Sequence, residues 1–172
     1  MSFFNDLPFQ TPFQRIQQKT NKSLNTKLAS GDTVSTPEII GLNMVVTKDA
    51  WIAVRDSLSE RTDVHEDVDL SICLRASGAR LAIIPGMTVS TSGRRFLASP
   101  STFLRHYWAG PRTYIARGAK RSAATVAVTS SPAIVFYLLM WVPFRMWDPT
   151  KHRFDVTRLV RAAEINTRVE IR

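Results

Sequence analysis

Apolar residues recur along this chain with changing periods, and the changes mark its elements. Phe13, Ile16, Thr20, Leu24 and Leu28 are spaced by three and four, with Arg15, Lys19 and Lys22 on the other side, which predicts an amphipathic helix. Thr11-Pro12 offers it an N-cap and a first-turn proline, and Ser30-Gly31 stops it. Its apolar side suits a protein core; an anionic bilayer is the alternative. Residues 32–38 read as a loop, and Ile39 to Val46 as a short apolar run broken by Gly41. Thr47 can cap a helix to about Leu58, with Trp51, Val54 and Leu58 on one face. After the acidic stretch Glu60–Asp69, the apolar residues Val68, Leu70, Ile72 and Leu74 predict a helix that Gly78 ends as its C′ residue. Arg80–Ile84 and Met87–Ser90 read as strands around a Pro85-Gly86 turn. Ser99-Pro100 opens a further helix bearing Phe103, Leu104, Tyr107 and Trp108, with Gly110-Pro111 expected to interrupt it.

The most distinctive stretch is Ser122–Phe144, which holds no charged residue. As a helix it would be roughly 34 Å long, against about 30 Å for a hydrocarbon core. Its second half, from Ala133, is strongly apolar, and Tyr137, Trp141 and Trp147 suit an interfacial belt. Thr125, Thr129, Ser130, Ser131 and Pro132 soften the first half. The expectation is a membrane-inserted helix over 122–147, transmembrane or, broken at Pro132 with both flanks on one side, re-entrant or in-plane; the alternative is a buried core helix. Arg112, Arg117, Lys120 and Arg121 precede it and Arg145, Lys151 and Arg153 follow it, so charge leaves its orientation open. The last stretch, 148–172, reads as a basic amphipathic tail in which Asp155 caps a helix with Val156, Leu159, Val160 and Ala163. Arg158 and Arg161 are expected on its solvated or headgroup-facing side.

Composition narrows the class. In 172 residues, 44% are hydrophobic and 22% charged, which excludes wholesale disorder. A lone Cys73 excludes an intramolecular disulfide framework and a zinc site built from several thiolates. The first residues lack the positive n-region of a secretory signal. Lys and Arg total 23 against 14 Asp and Glu, a net charge of +9. The positives are scattered and accompany no helix-turn-helix, zinc or RNP signature, so no nucleic-acid partner is expected, and a basic nucleic-acid binder is the weakest of the readings considered.

Candidate chemistry concentrates in Asp63-Val64-His65-Glu66-Asp67-Val68-Asp69-Leu70, with four carboxylates in seven positions. On periodicity alone these are first-turn acids, with Asp67 a cap. Such crowding is also tolerated where a helix N-terminus, a metal or a cationic substrate offsets the repulsion.

Taken in order, Gly41-Leu42-Asn43-Met44, the Trp51 helix, His65-Glu66-Asp67-Val68-Asp69-Leu70-Ser71, Gly78, Pro85 and Ser92-Gly93-Arg94-Arg95 resemble the distal half of a family 2 glycosyltransferase. The similarity runs from about Gly41 to Arg95 and continues more weakly through Tyr107-Trp108. It implies an α/β fold of GT-A type, here an incomplete, α+β-like fragment followed by a membrane-associated helix. The corresponding division is an N-terminal helix and loop over 1–38, the acceptor-side part over 39–118, the apolar helix over 122–147 and the tail over 148–172. The implied activity is inverting transfer of a sugar from a nucleotide donor to a hydroxyl acceptor. Asp67 would be the general base, with Glu66 beside it; Gly41, Asn43, His65 and Trp108 would line the acceptor site, and Arg94 and Arg95 would face the donor diphosphate. His65 and Trp108 also read as a strand-end residue and a core aromatic, and Arg94-Arg95 as a solvated basic turn.

The complete family enzyme is expected to use a divalent metal, Mg or Mn, through an Asp-x-Asp motif after nucleotide-binding strand-helix units. Asp67-Val68-Asp69 has that spelling but lies at a helix start without such units, so it reads as the base motif and not as metal ligands. The expectation is therefore a truncated or split enzyme, partnered by a nucleotide-sugar, a sugar or lipid-linked acceptor, a membrane, and a separate chain supplying the donor-binding half. Its place would be the cytoplasmic membrane, with the catalytic part on the cytoplasmic face. The alternative is a non-catalytic membrane-anchored interaction protein.

Overall fold

The computed structural model describes residues 2–4, 15, 19, 21–39, 41–87, 89–91, 96, 98–148 and 151–159. The chain is mixed and mostly helical. Its strands are β1 (Ser2–Phe4), β2 (Val34–Ser35), β3 (Ala82–Ile83), β4 (Val89–Thr91), β5 (Trp147–Asp148) and β6 (Arg153–Phe154). Its helices are α1 (Lys22–Ala29), α2 (Lys48–Val54) with a 3-10 turn at Arg55–Ser57, α3 (Glu66–Ala76), α4 (Pro100–Ala116) and α5 (Lys120–Met146). Of the helix expected from Phe13 to Leu28, α1 forms the later part, with Asn21 at its cap position, and Arg15 and Lys19 are helical as well; residues 13, 14, 16–18 and 20 lie outside the described residues. Among the described residues the strands form three two-stranded sheets, and the one parallel pairing is β1 with β4.

Local chemistry sets several helix ends. Thr47 caps α2 by accepting from the Ala50 N–H, and Ser99 caps α4 by accepting from the Thr102 N–H, with Pro100 in the first turn. At the end of α3 the Ala79 N–H donates to the Leu74 carbonyl and the Gly78 N–H to that of Arg75, with Gly78 at φ +85°. This is a Schellman close, which favours glycine at that position.

Three expectations are corrected. The strand segments on either side of Pro85-Gly86 do not pair with each other: β3 pairs antiparallel with β2, inside the stretch read as loop, and β4 pairs with β1. Register here is decided by distant partners, not by the turn. Gly110-Pro111 does not interrupt α4, although proline removes the N–H that would reach the Tyr107 carbonyl. Both residues are buried, and a Cβ on Gly110 would lie 3.6 Å from Val126 Cγ1 of α5, so close helix packing compensates the lost bond. Finally, Arg158 pairs with the buried Asp148, 3.1 Å apart, in place of a solvated position.

One core holds the middle of the chain. Val54, Leu70, Cys73, Leu74 and Leu81 are buried together, with Ile39, Val46, Ala50, Leu58 and Ala79 packed around them. Burying such side chains is worth about 1.5–3 kcal/mol each, so α2, α3 and the strand next to Leu81 stand as one unit. An aromatic cluster joins α4 to α5. Phe103 stacks on Tyr137 with ring centroids 3.4 Å apart, Phe96 lies against both rings and Phe144, and the Tyr137 hydroxyl and Trp141 Nε1 both donate to the Ala98 carbonyl. The Asp155 carboxylate accepts from the Thr157 N–H and hydroxyl as the expected cap; residues beyond Leu159 lie outside the described set.

Candidate functional site

The start of α3 gathers the acidic cluster, and the helix separates its members. The N-cap is His65, with extended backbone and no side-chain cap bond, so Asp67 is a second-position residue and not the cap. One Asp67 oxygen accepts from the Val68 N–H at 2.9 Å, and the other from the Gly41 N–H at 3.1 Å. A second bond runs parallel to this one. The Ile39 N–H donates to Ser71 Oγ, whose hydroxyl donates to the Asp67 carbonyl. Ile39 and Gly41 are thus each tied to α3, at Ser71 and at Asp67 one turn earlier, and Asp67 is partly buried.

Gly41 matters here for what lies beside it. A Cβ at that position would sit 3.5 Å from Asp67 Cβ and 3.6 Å from Asp67 Oδ2, which is ordinary contact. Gly41→Ala is thus expected to fold with stability within about 1 kcal/mol of the parent. Gly41→Val is expected to cover the carboxylate and lower any activity that needs it. Unfolding midpoints and activity of both variants check this, and equal activity in the valine variant would refute a role for that opening.

Two residues further on, the helix has turned about 200°. Asp69 consequently faces inward, 2% exposed, and is fully engaged. Arg117, the last position of the α4 turn, holds it by Nε and a terminal nitrogen, each at 2.6 Å, and the Ser59 N–H donates at 2.8 Å. The same guanidinium donates to the Ser57 carbonyl. Burial pushes the Asp69 carboxyl up, but the Arg117 hydrogen bonds, the Ser59 N–H and the Arg117 charge outweigh it and hold the carboxyl below its ordinary value. Asp63 is paired in turn with Arg61, whose hydrogen bond lowers its carboxyl, and Glu66 is exposed. A divalent cation does not fit between Asp67 and Asp69, because their carboxylates point to opposite sides and one is neutralised by arginine. Among the described residues no three His, Cys, Asp or Glu side chains converge as a metal site.

His65 is fastened to α4. Its N–H donates to Thr113 Oγ1, whose hydroxyl donates to the Ala109 carbonyl, and its ring meets that of His106 edge to face, with centroids 4.4 Å apart. Gly110 leaves room for it: a Cβ there would be 3.8 Å from His65 Cδ2. The Tyr114 hydroxyl donates to Glu38, and burial together with that bond pushes the phenol up to about 12.

The structure thus brings Asp67 and Gly41 together, while His65, at the cap of the same helix, is fastened to α4, and Glu66 is exposed. Asn43 is exposed on the loop that Gly41 begins. Trp108 is half-exposed, and two residues from Gly110 it faces about 200° away from the His65 contact. Arg94 and Arg95 lie outside the described residues. Arg117, Thr113, His106 and the Glu38–Tyr114 pair were not expected from the sequence. Their partners lie dozens of residues away, and no local spacing signals them. Comparison of the chain with known protein families, curated proteins and solved structures gives no match.

Proposed function

We propose that this chain is the acceptor-side part of an inverting family 2 glycosyltransferase of GT-A type, attached to the cytoplasmic face of the cytoplasmic membrane. Asp67 takes the proton of the acceptor hydroxyl. That oxygen bonds to the anomeric carbon of a nucleotide-sugar as the bond from that carbon to the diphosphate breaks, with inversion. The base must reach the attacking oxygen within hydrogen-bond distance, and the donor is held by a half supplied from outside these residues. The observation that carries this reading is the setting of Asp67: a first-turn carboxylate, partly buried, braced by the Gly41 N–H in the helix that His65 caps. The order of motifs around it, from Gly41 to Arg95, supports the same family. Glu66, Asn43 and Trp108 are assigned to the acceptor side, and Arg94 and Arg95 to the diphosphate.

The test is transfer of radiolabelled sugar from UDP-, GDP- and dTDP-sugars in membranes of source cells with and without the chain. Chain-dependent incorporation into lipid or polymer is expected, and identical incorporation in its absence would overturn the reading. A non-catalytic interaction protein is favoured by the exposed Leu42 and Val45 that follow Gly41 and the exposed Trp51 and Ile52 of α2. Under that reading, chain-dependent transfer would persist when Asp67 is neutralised.

A further inference from the structure

Helix α5 is the one described helix long and apolar enough to cross a bilayer, yet it does not stand alone. Helix α4 turns back along it through the tight Arg117–Ala119 connection. Gly110 packs opposite Val126, Phe103 stacks on Tyr137, and the Ala98 carbonyl accepts from Tyr137 and Trp141. The two helices therefore share nearly the whole length of α5 as an antiparallel hairpin. Any depth that α5 reaches in a membrane, α4 must reach too.

Helix α4 is unsuited to that. Its exposed side carries Arg105 and Arg112, and Arg105 lies between the Phe103–Tyr137 and Gly110–Val126 levels, beside the middle of α5. A perpendicular crossing would hold that guanidinium near mid-bilayer, where charge is costly unless paired. The α4 end near Gly110 is also bonded to the rest of the chain through Thr113–His65, Arg117–Asp69 and Tyr114–Glu38.

The opposite side of α5 tells where the lipid lies. Ala123, Tyr137 and Phe144 are buried against the hairpin, whereas Val128, Val135, Leu138, Leu139 and Val142 form one exposed stripe at spacings of three, four and seven. Leu139 is 73% exposed. The polar residues of the first half do not break this character, because Thr125, Thr129 and Ser131 donate their hydroxyls back to carbonyls of α5 itself. Exposed Lys120 and Arg121 sit at one end of the stripe, and Lys151 and Arg153 just past the other. Cations at both ends of an apolar stripe complement a surface of anionic headgroups.

We infer that the α4–α5 hairpin lies in the plane of the membrane, its Val128–Val142 stripe immersed in one leaflet of an anionic bilayer, so that residues before and after α5 stay on the same side. This rests on the membrane attachment proposed above and specifies its geometry.

The experiment uses the full chain in sealed membrane vesicles of both orientations. Single cysteines replace the exposed Lys48 or Lys151, and the buried Cys73 serves as a control that reacts with impermeant maleimide only after denaturation. Both introduced cysteines are expected to react from the same side. Reaction of the Lys151→Cys variant only from the side opposite to Lys48→Cys would overturn the in-plane geometry while leaving membrane attachment intact. Recovery of the unaltered chain entirely in the soluble fraction would instead sink the attachment itself. As a second measure, Val135→Asp/Leu139→Asp, at exposed positions, is expected to lower partitioning onto phosphatidylglycerol vesicles about tenfold or more; unchanged partitioning would refute immersion of the stripe.

Discussion

Arg117→Ala is expected to destabilise the detergent-solubilised chain by about 3–5 kcal/mol at neutral pH, because it leaves a buried carboxylate without its counter-charge. Asp69 is 2% exposed and takes both guanidinium bonds at 2.6 Å, with the Ser59 N–H as its one other partner among the described residues. The loss falls on three elements at once, since Arg117 also holds the Ser57 carbonyl and ends the helix that carries Thr113 and Tyr114. Urea unfolding followed by the fluorescence of the four tryptophans reads it directly. The pH dependence has a definite sign. Asp69 is held below its ordinary value in the folded chain, so its contribution is present above the unfolded value of about 3.9 and is lost as pH falls through the folded one. In Arg117→Ala the uncompensated carboxylate can be neutralised by a proton, so the gap between parent and variant should narrow below about pH 4. Arg117→Ala/Asp69→Asn should recover part of the loss at pH 7. A gap that stays constant down to pH 3 would show that the ion pair is not its origin.

Asp67→Asn is expected to lower sugar transfer by about 10²–10⁴-fold, the range for removal of a positioned general base. Its effect on stability should be small, because the amide oxygen can still accept from the Gly41 or Val68 N–H. The loss should appear in kcat with little change in the KM for acceptor, since the proton is taken in the transition state. Asp67→Glu, which keeps the charge but moves it by a methylene, should retain more activity than the asparagine variant. Activity of Asp67→Asn within about threefold of the parent would remove the base from the proposal, and a matching fall in unfolding midpoint would assign the residue to structure instead.

Much of the helical framework was legible because capping is local. Thr47, Ser99-Pro100 and Gly78 each act through bonds to residues three to five positions away, and each terminates its helix where the sequence indicates. What could not be read depends on distance. Nothing within Arg80–Ile84 says that Ala82 and Ile83 will find Val34 and Ser35, and nothing near Gly110-Pro111 reveals the neighbour that keeps α4 intact. The acidic cluster shows both cases. Its first-turn placement followed from pattern, while the separation of an outward Asp67 from an inward Asp69 depended on where the helix began. The arginine that decides the fate of Asp69 lies 48 residues further along.

The parallel pairing of β1 with β4 sets an order of events during synthesis. Ser2, Phe3 and Phe4 are matched to Val89, Ser90 and Thr91, so this strand, once made, must wait for partners made roughly ninety residues later. The α2–α3 core can assemble in the meantime, its contacts being closer in sequence. A bulky fusion at the amino end would therefore be expected to delay the final closure of the chain more than the formation of its centre, a difference that arrest of translation at successive lengths would resolve.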